Sequence, residues 1–270
     1  MHPAPARASI RFYAELNDHL PPHSRYQTLE KSFFVSSTMK DVIESFGVPH
    51  TEVELIVVEG ASVDFNYSVR PGDRIAVYPV FEAIDIAPAL RVRPEPLRNP
   101  RFVLDVHLGK LAAHLRMLGF DTLYRNSFAD SELVRLSAEQ HRILLTRDRG
   151  LLMHSAVTHG YWPRATDSRR QLAEVVARLD LIRAIRPFTR CMACNGLLQD
   201  VSREAARDLI PPRTAELYRE FRQCPDCRRV YWKGSHYRRM LRWIDELATG
   251  LQTPNSTASP PASAPSSPPA

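Results

Sequence analysis

Three aspartates are spaced along residues 101–152 so that they could act together. Asp105 closes the apolar run FVL, Asp148 closes a second buried run, RILLT, and Asp130 stands where a helix would begin. Carboxylates gathered at one point repel one another unless a cation lies between them. Carboxylate oxygens without a nearby Cys or His ligand suit Mg²⁺ or Mn²⁺, which commonly serve phosphoryl chemistry. The alternative is that these are strand-end and helix-capping aspartates, which many α/β proteins contain.

The elements around these aspartates predict a parallel sheet. Between the two runs, apolar residues recur at helical spacing from Leu108 to Leu118, and Gly119 ends that helix. A short strand over 121–124 and a helix from Asp130 follow. Strands that alternate with helices form parallel sheets with right-handed crossovers, and such sheets bind ligands at the carboxyl ends of their strands. Asp105 and Asp148 fall at that edge, and Asp130 opens a helix that starts there.

The chain also resembles a known nuclease family at these positions. The segments FVLDVHLGKLAAHLRMLGFDT and RILLTRD, with Asp130 between them, resemble the PIN-like domain at the C-terminus of the Mut-seven family of exonucleases. The resemblance continues through QLAEVVARLDL and CPDCRRVYWKGSH, over about residues 99–247. It implies metal-dependent cleavage of RNA, with Asp105, Asp130 and Asp148 as catalytic ligands of Mg²⁺ or Mn²⁺. Glu132 and Asp167 are weaker candidates for a fourth acidic position, since no strand end fixes either.

All four cysteines fall in two Cys-x₂-Cys pairs, Cys191/Cys194 and Cys224/Cys227. Pairs at this separation are typical of a tetrahedral zinc site with four thiolates, which is structural because it leaves no open position. The Asn-Gly after the first pair and the proline inside the second favour tight turns that bring backbone amides to the sulfurs. Two disulfides or a thioredoxin-type redox pair are the alternatives. The N-terminus lacks a signal peptide's hydrophobic core, which indicates an intracellular chain and disfavours disulfides.

Charge is distributed unevenly along the chain. Residues 1–95 contain 9 Lys+Arg and 13 Asp+Glu, whereas residues 96–270 contain 27 and 17. All but two of those 27 basic residues are Arg, whose planar fork suits phosphates. A GC-rich genome would explain the preference for Arg over Lys, but it would not explain the asymmetry. The basic half therefore predicts a polyanionic partner.

The segment after Cys227 combines cations with aromatic residues, as surfaces that bind single-stranded RNA do. We expect Trp232 to pack the small zinc subdomain, which needs apolar mass. The expected RNA contacts are the five polar residues Arg228, Arg229, Lys233, His236 and Arg239. His236 could also serve as an acid. An amphipathic helix over 239–247 closes this region, and the Pro/Ser-rich segment from Thr249 is predicted to be disordered.

The first 90 residues predict a β-grasp domain. Strands are expected over 8–14, 33–36, 54–58, 63–67 and 74–78, with a helix capped by Thr38 before the third. The segment VEGASVDFNYSVRPGDRIAVYPV resembles the ubiquitin-like sulfur carriers of the molybdopterin and thiamine pathways. Those carriers end in a flexible Gly-Gly, whereas this strand continues into Pro79 without a glycine pair. An interaction or substrate-positioning module, with a possible protein partner, is therefore favoured over sulfur transfer.

The predicted organisation combines α/β and α+β parts. It comprises a ubiquitin-like β-grasp domain (7–90), a Pro-rich linker (91–100), a PIN-like α/β nuclease domain with a parallel sheet (101–187), a four-Cys zinc ribbon (188–248) and a disordered tail (249–270). No apolar run is long enough to span a membrane, so a cytoplasmic protein is expected. The favoured function is a metal-dependent ribonuclease. The alternative is a non-catalytic RNA-binding PIN-like regulator, which the three aspartates disfavour.

Overall fold

The N-terminal domain is a five-stranded sheet covered by one helix. A computed structural model describes residues 6–34, 37–79, 92 and 99–252 of the chain. The elements of this domain are β1 (Ala6–Phe12), β2 (Thr28–Phe33), α1 (Met39–Glu44), β3 (Val53–Val58), β4 (Ala61–Val63) and β5 (Arg74–Pro79). The strand order is β2-β1-β5-β3-β4, with β1 and β5 parallel and the other neighbours antiparallel. This is the predicted β-grasp arrangement.

Side-chain hydrogen bonds explain where α1 begins. Strand pairing and a turn explain why two predicted strands had the wrong bounds. The Thr38 hydroxyl accepts the backbone N–H of Asp41, whose carboxylate accepts the Thr38 N–H, so the helix begins with a capping box. The strand expected over 33–36 ends at Phe33, because Phe33 pairs with the first residue of β1. Residues 35–36 lie outside the described part. The strand expected over 63–67 ends at Val63, because Asp64 turns the chain by accepting the backbone N–H of Asn66.

The second domain has the predicted parallel sheet. Its elements are β6 (Phe102–Leu104), α2 (Gly109–Met117), β7 (Thr122–Leu123), α3 (Asp130–Gln140), β8 (Ile143–Leu145), α4 (Arg149–Met153), β9 (Gly160–Tyr161) and α5 (Ser168–Arg178). The strand order is β7-β6-β8-β9, and every neighbouring pair is parallel. Every residue of β6 and β8 is buried, as strands between two helical layers require. The carboxyl ends of β6 and β8 lie side by side.

The C-terminal region folds around a three-stranded antiparallel sheet. Its elements are β10 (Gln199–Val201), α6 (Arg203–Ala206), α7 (Pro212–Leu217), β11 (Phe221–Gln223), β12 (Val230–Trp232) and α8 (Ser235–Gln252). The strand order is β10-β11-β12. A small core of Ala206, Ile210, Ala215 and Phe221 lies beneath it. Trp232 packs against this core, as expected.

The last helix differs from its predicted length and packs on the neighbouring domain. It was expected over 239–247, but α8 begins at Ser235 and continues through Gln252, so the first residues of the expected tail are helical. Ile244 and Leu247 are buried in the same core as Leu111 and Leu115 of α2. That apolar contact explains why the helix continues past Leu247. The rest of the predicted tail (253–270), and most of the predicted linker, lie outside the described residues.

No helix in the described part of the chain combines the length and apolar character that crossing a membrane requires.

Candidate active site and four-cysteine cluster

The three predicted aspartates line one pocket at the carboxyl edge of the parallel sheet. The pocket has a volume of about 720 Å³, and Asp105, Asp130 and Asp148 are all in its wall. Asp105 follows β6 and is buried at 7% exposure, while Asp130 and Asp148 are exposed at the starts of α3 and α4. The fold therefore brings residues that are 43 positions apart in sequence to one site, as strand order and crossover geometry predict.

Thr146 links two of these carboxylates. Its hydroxyl donates to Asp105 Oδ2 at 2.9 Å and accepts the backbone N–H of Asp148 at 2.9 Å. The Thr146 side chain is fully buried, so both contacts are shielded from water. Asp148 Oδ1 also accepts the N–H of Gly150 at 2.7 Å, and Asp105 Oδ1 accepts the N–H of Val106. These bonds orient two carboxylates toward the pocket before any ligand arrives.

Helix capping can account for the positions of Asp105 and Asp148 but not for that of Asp130. Asp105 and Asp148 each accept a backbone N–H at the start of a helical turn, as simple strand-end aspartates would. Asp130 is different, because it is the first residue of α3 rather than its cap, and its carboxylate has no hydrogen-bond or ion-pair partner among the described residues. An exposed carboxylate without a partner, facing a pocket with two others, is what an oxygen-ligated cation site offers.

The donor set fits a hard divalent cation, but the carboxylates do not enclose one directly. Among residues 6–34, 37–79 and 99–252, the four cysteines form the sole group of three or more potential ligands whose atoms all lie within 4.8 Å. The three aspartates therefore lie further apart than ligands of a single Mg²⁺, each about 2.1 Å from the ion, would. Mg²⁺ usually keeps several waters, so the present spacing suits a hydrated ion held partly through water.

The two weaker acidic candidates lie outside this pocket. Glu132 pairs with Arg125 at 2.7 Å on the surface of α3. Asp167 caps α5, where hydrogen bonds from the backbone N–H groups of Arg170 and Arg169 lower the pKa of its carboxyl. It lines a second pocket of about 570 Å³. Neither carboxylate joins Asp105, Asp130 and Asp148.

Two side chains that sequence reasoning missed connect these pockets. His107 and Arg147 line both the acidic pocket and the second one, which Lys110 also lines. His107 stands two residues after Asp105, and Arg147 stands immediately before Asp148. The exposed guanidinium of Arg147 beside the acidic side chains gives this edge of the sheet both a positive and a negative charge, as binding of a metal-bound phosphate requires.

The N-terminal domain supplies part of the acidic pocket. Gly47, just after α1, lines it together with the three aspartates. Arg149, the residue after Asp148, donates from its guanidinium to the backbone carbonyl of His19 at 2.8 Å. His50 bonds the carbonyl of Val157 at 2.9 Å. The β-grasp domain is thus a wall of the candidate site and holds the start of α4.

A buried carboxylate fixes the contact between the two domains. Glu52 is 1% exposed, and its oxygens meet His19 Nε2 at 2.9 Å, the Arg164 guanidinium at 2.6 Å and the backbone N–H of Trp162 at 2.8 Å. Burial raises the pKa of Glu52, but the His19 hydrogen bond and the Arg164 charge outweigh it and lower that pKa to about 2. Glu52 therefore ties the nuclease domain to the N-terminal one as an ion.

We expect Glu52→Gln to lower the free energy of unfolding by up to about 3–5 kcal/mol, because it leaves the largely buried Arg164 guanidinium with the more distant carboxylate of Asp18, at 3.5 Å. The pH dependence should change as well. The folded-state pKa of Glu52 is below its ordinary value of 4.5. Its stabilisation is therefore complete above about pH 4.5 and is lost as the pH falls toward 2. Urea denaturation of both proteins between pH 2.5 and 7 measures this, and the stability difference should shrink in acid.

Glu139→Gln is the matched control. It breaks an exposed pair with Arg135 in which both side chains are more than half exposed, and such pairs contribute about 0–1 kcal/mol. Equal effects of the two substitutions at pH 7 would contradict the role assigned to Glu52.

The four cysteines cluster as a zinc ribbon's would. Their sulfurs all lie within 4.8 Å, with Cys191 and Cys227 3.5 Å apart and Cys194 and Cys224 3.3 Å apart. Four thiolates 2.3 Å from a zinc ion would lie about 3.8 Å from one another, whereas a disulfide needs about 2.05 Å. All four are free thiols in the structure. The cluster could bind zinc, and its sulfurs are not at disulfide distance.

The two knuckles have matching turns. In the first, Asn195 has a φ of 78° and its N–H bonds the carbonyl of Cys191 at 2.9 Å. In the second, Arg228 has a φ of 59° and its backbone N–H donates to the carbonyl of Cys224 at 2.9 Å. Burial raises the pKa of Cys191, but the Tyr231 hydroxyl and backbone amides that donate to its sulfur lower it to about 7. The amides thus approach the sulfurs, as predicted.

The first knuckle is joined to the nuclease domain by polar contacts. Asn195 accepts the backbone N–H of Thr122 at 2.9 Å and donates to Asp121 at 2.8 Å. The Arg116 guanidinium, which is 4% exposed, donates to the carbonyls of Thr122 and Ala193 at 2.9 and 2.8 Å. Order in the cysteine cluster is therefore coupled to β7, the edge strand of the nuclease sheet.

The five predicted RNA contacts are all exposed but do not form one cluster. Lys233 and His236 line a groove of about 1280 Å³ between the ribbon and α8, whereas Arg228, Arg229 and Arg239 do not. Lys233 pairs with Glu220 at 2.5 Å, and Arg239 contacts His236 at 2.9 Å. Their role in binding RNA stays a prediction.

Comparison with known proteins identifies both domains. The family model of the Mut7-C RNAse domain matches residues 100–244, and that of the Mut7-C ubiquitin domain matches residues 6–85. Searches among curated proteins and among solved structures gave no match. The first match covers the parallel sheet, Asp105, Asp130 and Asp148, and all four cysteines.

Proposed function

Since the chain belongs to the Mut7-C RNAse domain family, with its ubiquitin domain at the N-terminus, we propose that it is a divalent-metal-dependent ribonuclease. The site is the pocket lined by Asp105, Asp130 and Asp148, where it hydrolyses RNA phosphodiester bonds. The observation that supports this most is the unpartnered carboxylate of Asp130, which faces two carboxylates already oriented through Thr146.

The acidic and basic residues of the pocket have different proposed roles. Asp105, Asp130 and Asp148 would hold Mg²⁺ or Mn²⁺. Such an ion, when bound, stabilises charge on a phosphate and makes water a stronger nucleophile. Arg147 and His107 stand at the junction with the second pocket, where a guanidinium can accept a phosphate in its planar fork. The buried Thr146 keeps Asp105 and Asp148 at a constant distance from each other.

One observation favours the alternative, a non-catalytic RNA-binding regulator. The aspartates do not come within 4.8 Å of one another as a group, as ligands of one ion directly bound to all three would. The two functions differ in one result, because a regulator would bind RNA without shortening it in Mg²⁺ or Mn²⁺. An electrophoretic assay of a labelled RNA, with the metal added and omitted, separates them.

We also propose that the four cysteines hold a structural zinc ion. Four thiolates complete the coordination of zinc and leave no position for substrate. Cysteine pairs that bind a metal rather than form disulfides are usual in reducing compartments, and we propose a cytoplasmic location. We propose that a protein partner would contact the ubiquitin-like domain along its edge strand β2. Tyr26 and Phe34, which flank this strand, are 64% and 82% exposed.

Replacing Arg228, Arg229 and Arg239 with Ala should weaken RNA binding and flatten its salt dependence. Each cation that contacts a phosphate of single-stranded RNA adds about 0.7 to the slope of log affinity against log salt. The slope should therefore fall by up to about 2, while the metal requirement of cleavage stays the same. Polarisation titrations of a labelled single-stranded RNA at several salt concentrations measure it.

The matched control removes three exposed arginines from the acidic half, Arg7, Arg70 and Arg74. If both triple variants flatten the slope equally, the charge asymmetry does not determine where RNA binds.

A further inference from the structure

A cavity larger than the acidic pocket lies away from it, in the C-terminal region. This ribbon groove, of about 1280 Å³, opens between the ribbon sheet and the first turns of α8. Six aromatic residues line it: Phe188, Tyr218, Phe221, Tyr231, Trp232 and Tyr237. Phe188 and Tyr237 lie with ring centroids 4.4 Å apart. Leu217, also in the wall, is 65% exposed. The groove thus offers an open apolar surface with flat faces.

The charges in the wall of the ribbon groove are mainly positive. Asp200 and Glu220 are its acidic residues, and they are paired with Arg222 at 2.8 Å and Lys233 at 2.5 Å. Arg213 and Arg219 also line it, are exposed, and have no ion pair among the described residues. The two arginines are therefore available to a ligand. A ligand that matches this wall has flat apolar faces and several negative charges.

We infer that the ribbon groove binds unpaired nucleotides of the RNA substrate. Bases would stack on Tyr237 and Tyr218, and the backbone phosphates would meet Arg213 and Arg219. Every base has a π face, so aromatic stacking tolerates different sequences, and arginines follow the backbone. A base-paired duplex could not place its bases on these rings, so the inference specifies a single-stranded segment. It rests on the proposed ribonuclease function and names the substrate more closely.

A series of contacts connects the ribbon groove with the acidic pocket. Met240 lines the groove, and Trp243 follows it by three residues on α8. The guanidinium of Arg169 lies 4.9 Å from the centre of the Trp243 ring. Ser168, next to Arg169, lines the second pocket, which shares His107 and Arg147 with the acidic one. A single strand lying on this path would meet exposed cations from the ribbon groove to the aspartates.

The test compares two oligonucleotides on the full-length protein. The Asp148→Asn variant serves as background so that RNA stays intact, and the probes are a short labelled oligouridylate and an abasic strand of the same length. We expect Arg213→Ala/Arg219→Ala to weaken binding of both strands about tenfold, since both have phosphates. Tyr237→Ala should weaken the oligouridylate alone about tenfold, because the abasic strand has no base to stack. Arg207→Ala, an exposed arginine of the ribbon outside the groove, should change neither.

Zinc content of each variant reports whether the ribbon is intact. If Tyr237→Ala loses zinc, its binding result is set aside, and the Arg213→Ala/Arg219→Ala variant tests the inference. Wild-type affinity of the arginine variant for both strands would overturn the inference. The same groove substitutions are then made in a protein that keeps Asp148. If metal-dependent cleavage of RNA is undiminished in that protein, the groove assignment alone fails. If the wild-type protein neither binds nor cleaves RNA, the proposed function fails and this inference with it.

Discussion

Asp148→Asn is expected to lower the rate of RNA cleavage by about 100-fold or more while the protein stays folded. Loss of residues that merely support metal ligands costs about 10–100-fold, so loss of a ligand's charge should cost at least as much. The fold should be retained because asparagine caps helices as well as aspartate, so its side-chain oxygen can still accept the N–H of Gly150. Without metal, the melting temperature should stay level or rise, since one of three neighbouring negative charges is removed.

Asp64→Asn is the matched control for this experiment. Asp64 is exposed and accepts the backbone N–H two residues later, as Asp148 does, but lies in the N-terminal domain and outside the acidic pocket. It should cleave RNA at the wild-type rate. Single-turnover rates in saturating Mg²⁺ or Mn²⁺ measure both variants, and full activity of Asp148→Asn would remove the aspartate from the site.

Cys224→Ser is expected to release zinc and unfold the ribbon. Zinc binding to thiolate sites of this kind is worth about 10–16 kcal/mol and is coupled to folding, so three sulfurs should not hold the region together. Wild-type protein should contain about one zinc per chain. In the variant, amide hydrogen exchange should rise over β10 to β12 more than over β1 to β5. Exchange should also rise at β7, because Asn195 holds its backbone through Thr122.

Ser202→Ala provides the comparison in the same region. Ser202 caps α6 through the N–H of Ala205, so its loss costs about 1 kcal/mol without touching the sulfurs. It should keep zinc. Metal analysis that finds no zinc in the wild-type protein, together with four alkylatable thiols in the folded chain, would reject the site.

The elements that place Asp105, Asp130 and Asp148 were predictable because the evidence for them is local. A buried strand appears in sequence as a short apolar run, and its end can be identified within a residue or two. The parallel direction of the strands then follows from general rules of connection. The same holds for the cysteine pairs, whose spacing within the chain already defines the turns that the structure contains.

Contacts between domains were not predictable from the sequence. Gly47 has no chemistry of its own, and it lines the acidic pocket because contacts such as those of Glu52 with Arg164 and of Arg149 with His19 hold the two domains together. The length of α8 was missed for a related reason. Its C-terminal turns lie next to a Pro/Ser-rich segment, and packing on the nuclease-domain core rather than local composition stabilises them.

The measurement that tests the central claim most directly is the position of a divalent ion in crystals of the protein soaked in Mn²⁺. An anomalous difference map at the manganese edge shows the ion without reference to any RNA. The account predicts one peak in the acidic pocket, between Asp105, Asp130 and Asp148, which disappears in crystals of Asp148→Asn. Manganese bound elsewhere, or absent from this pocket under conditions in which the protein cleaves RNA, would contradict it.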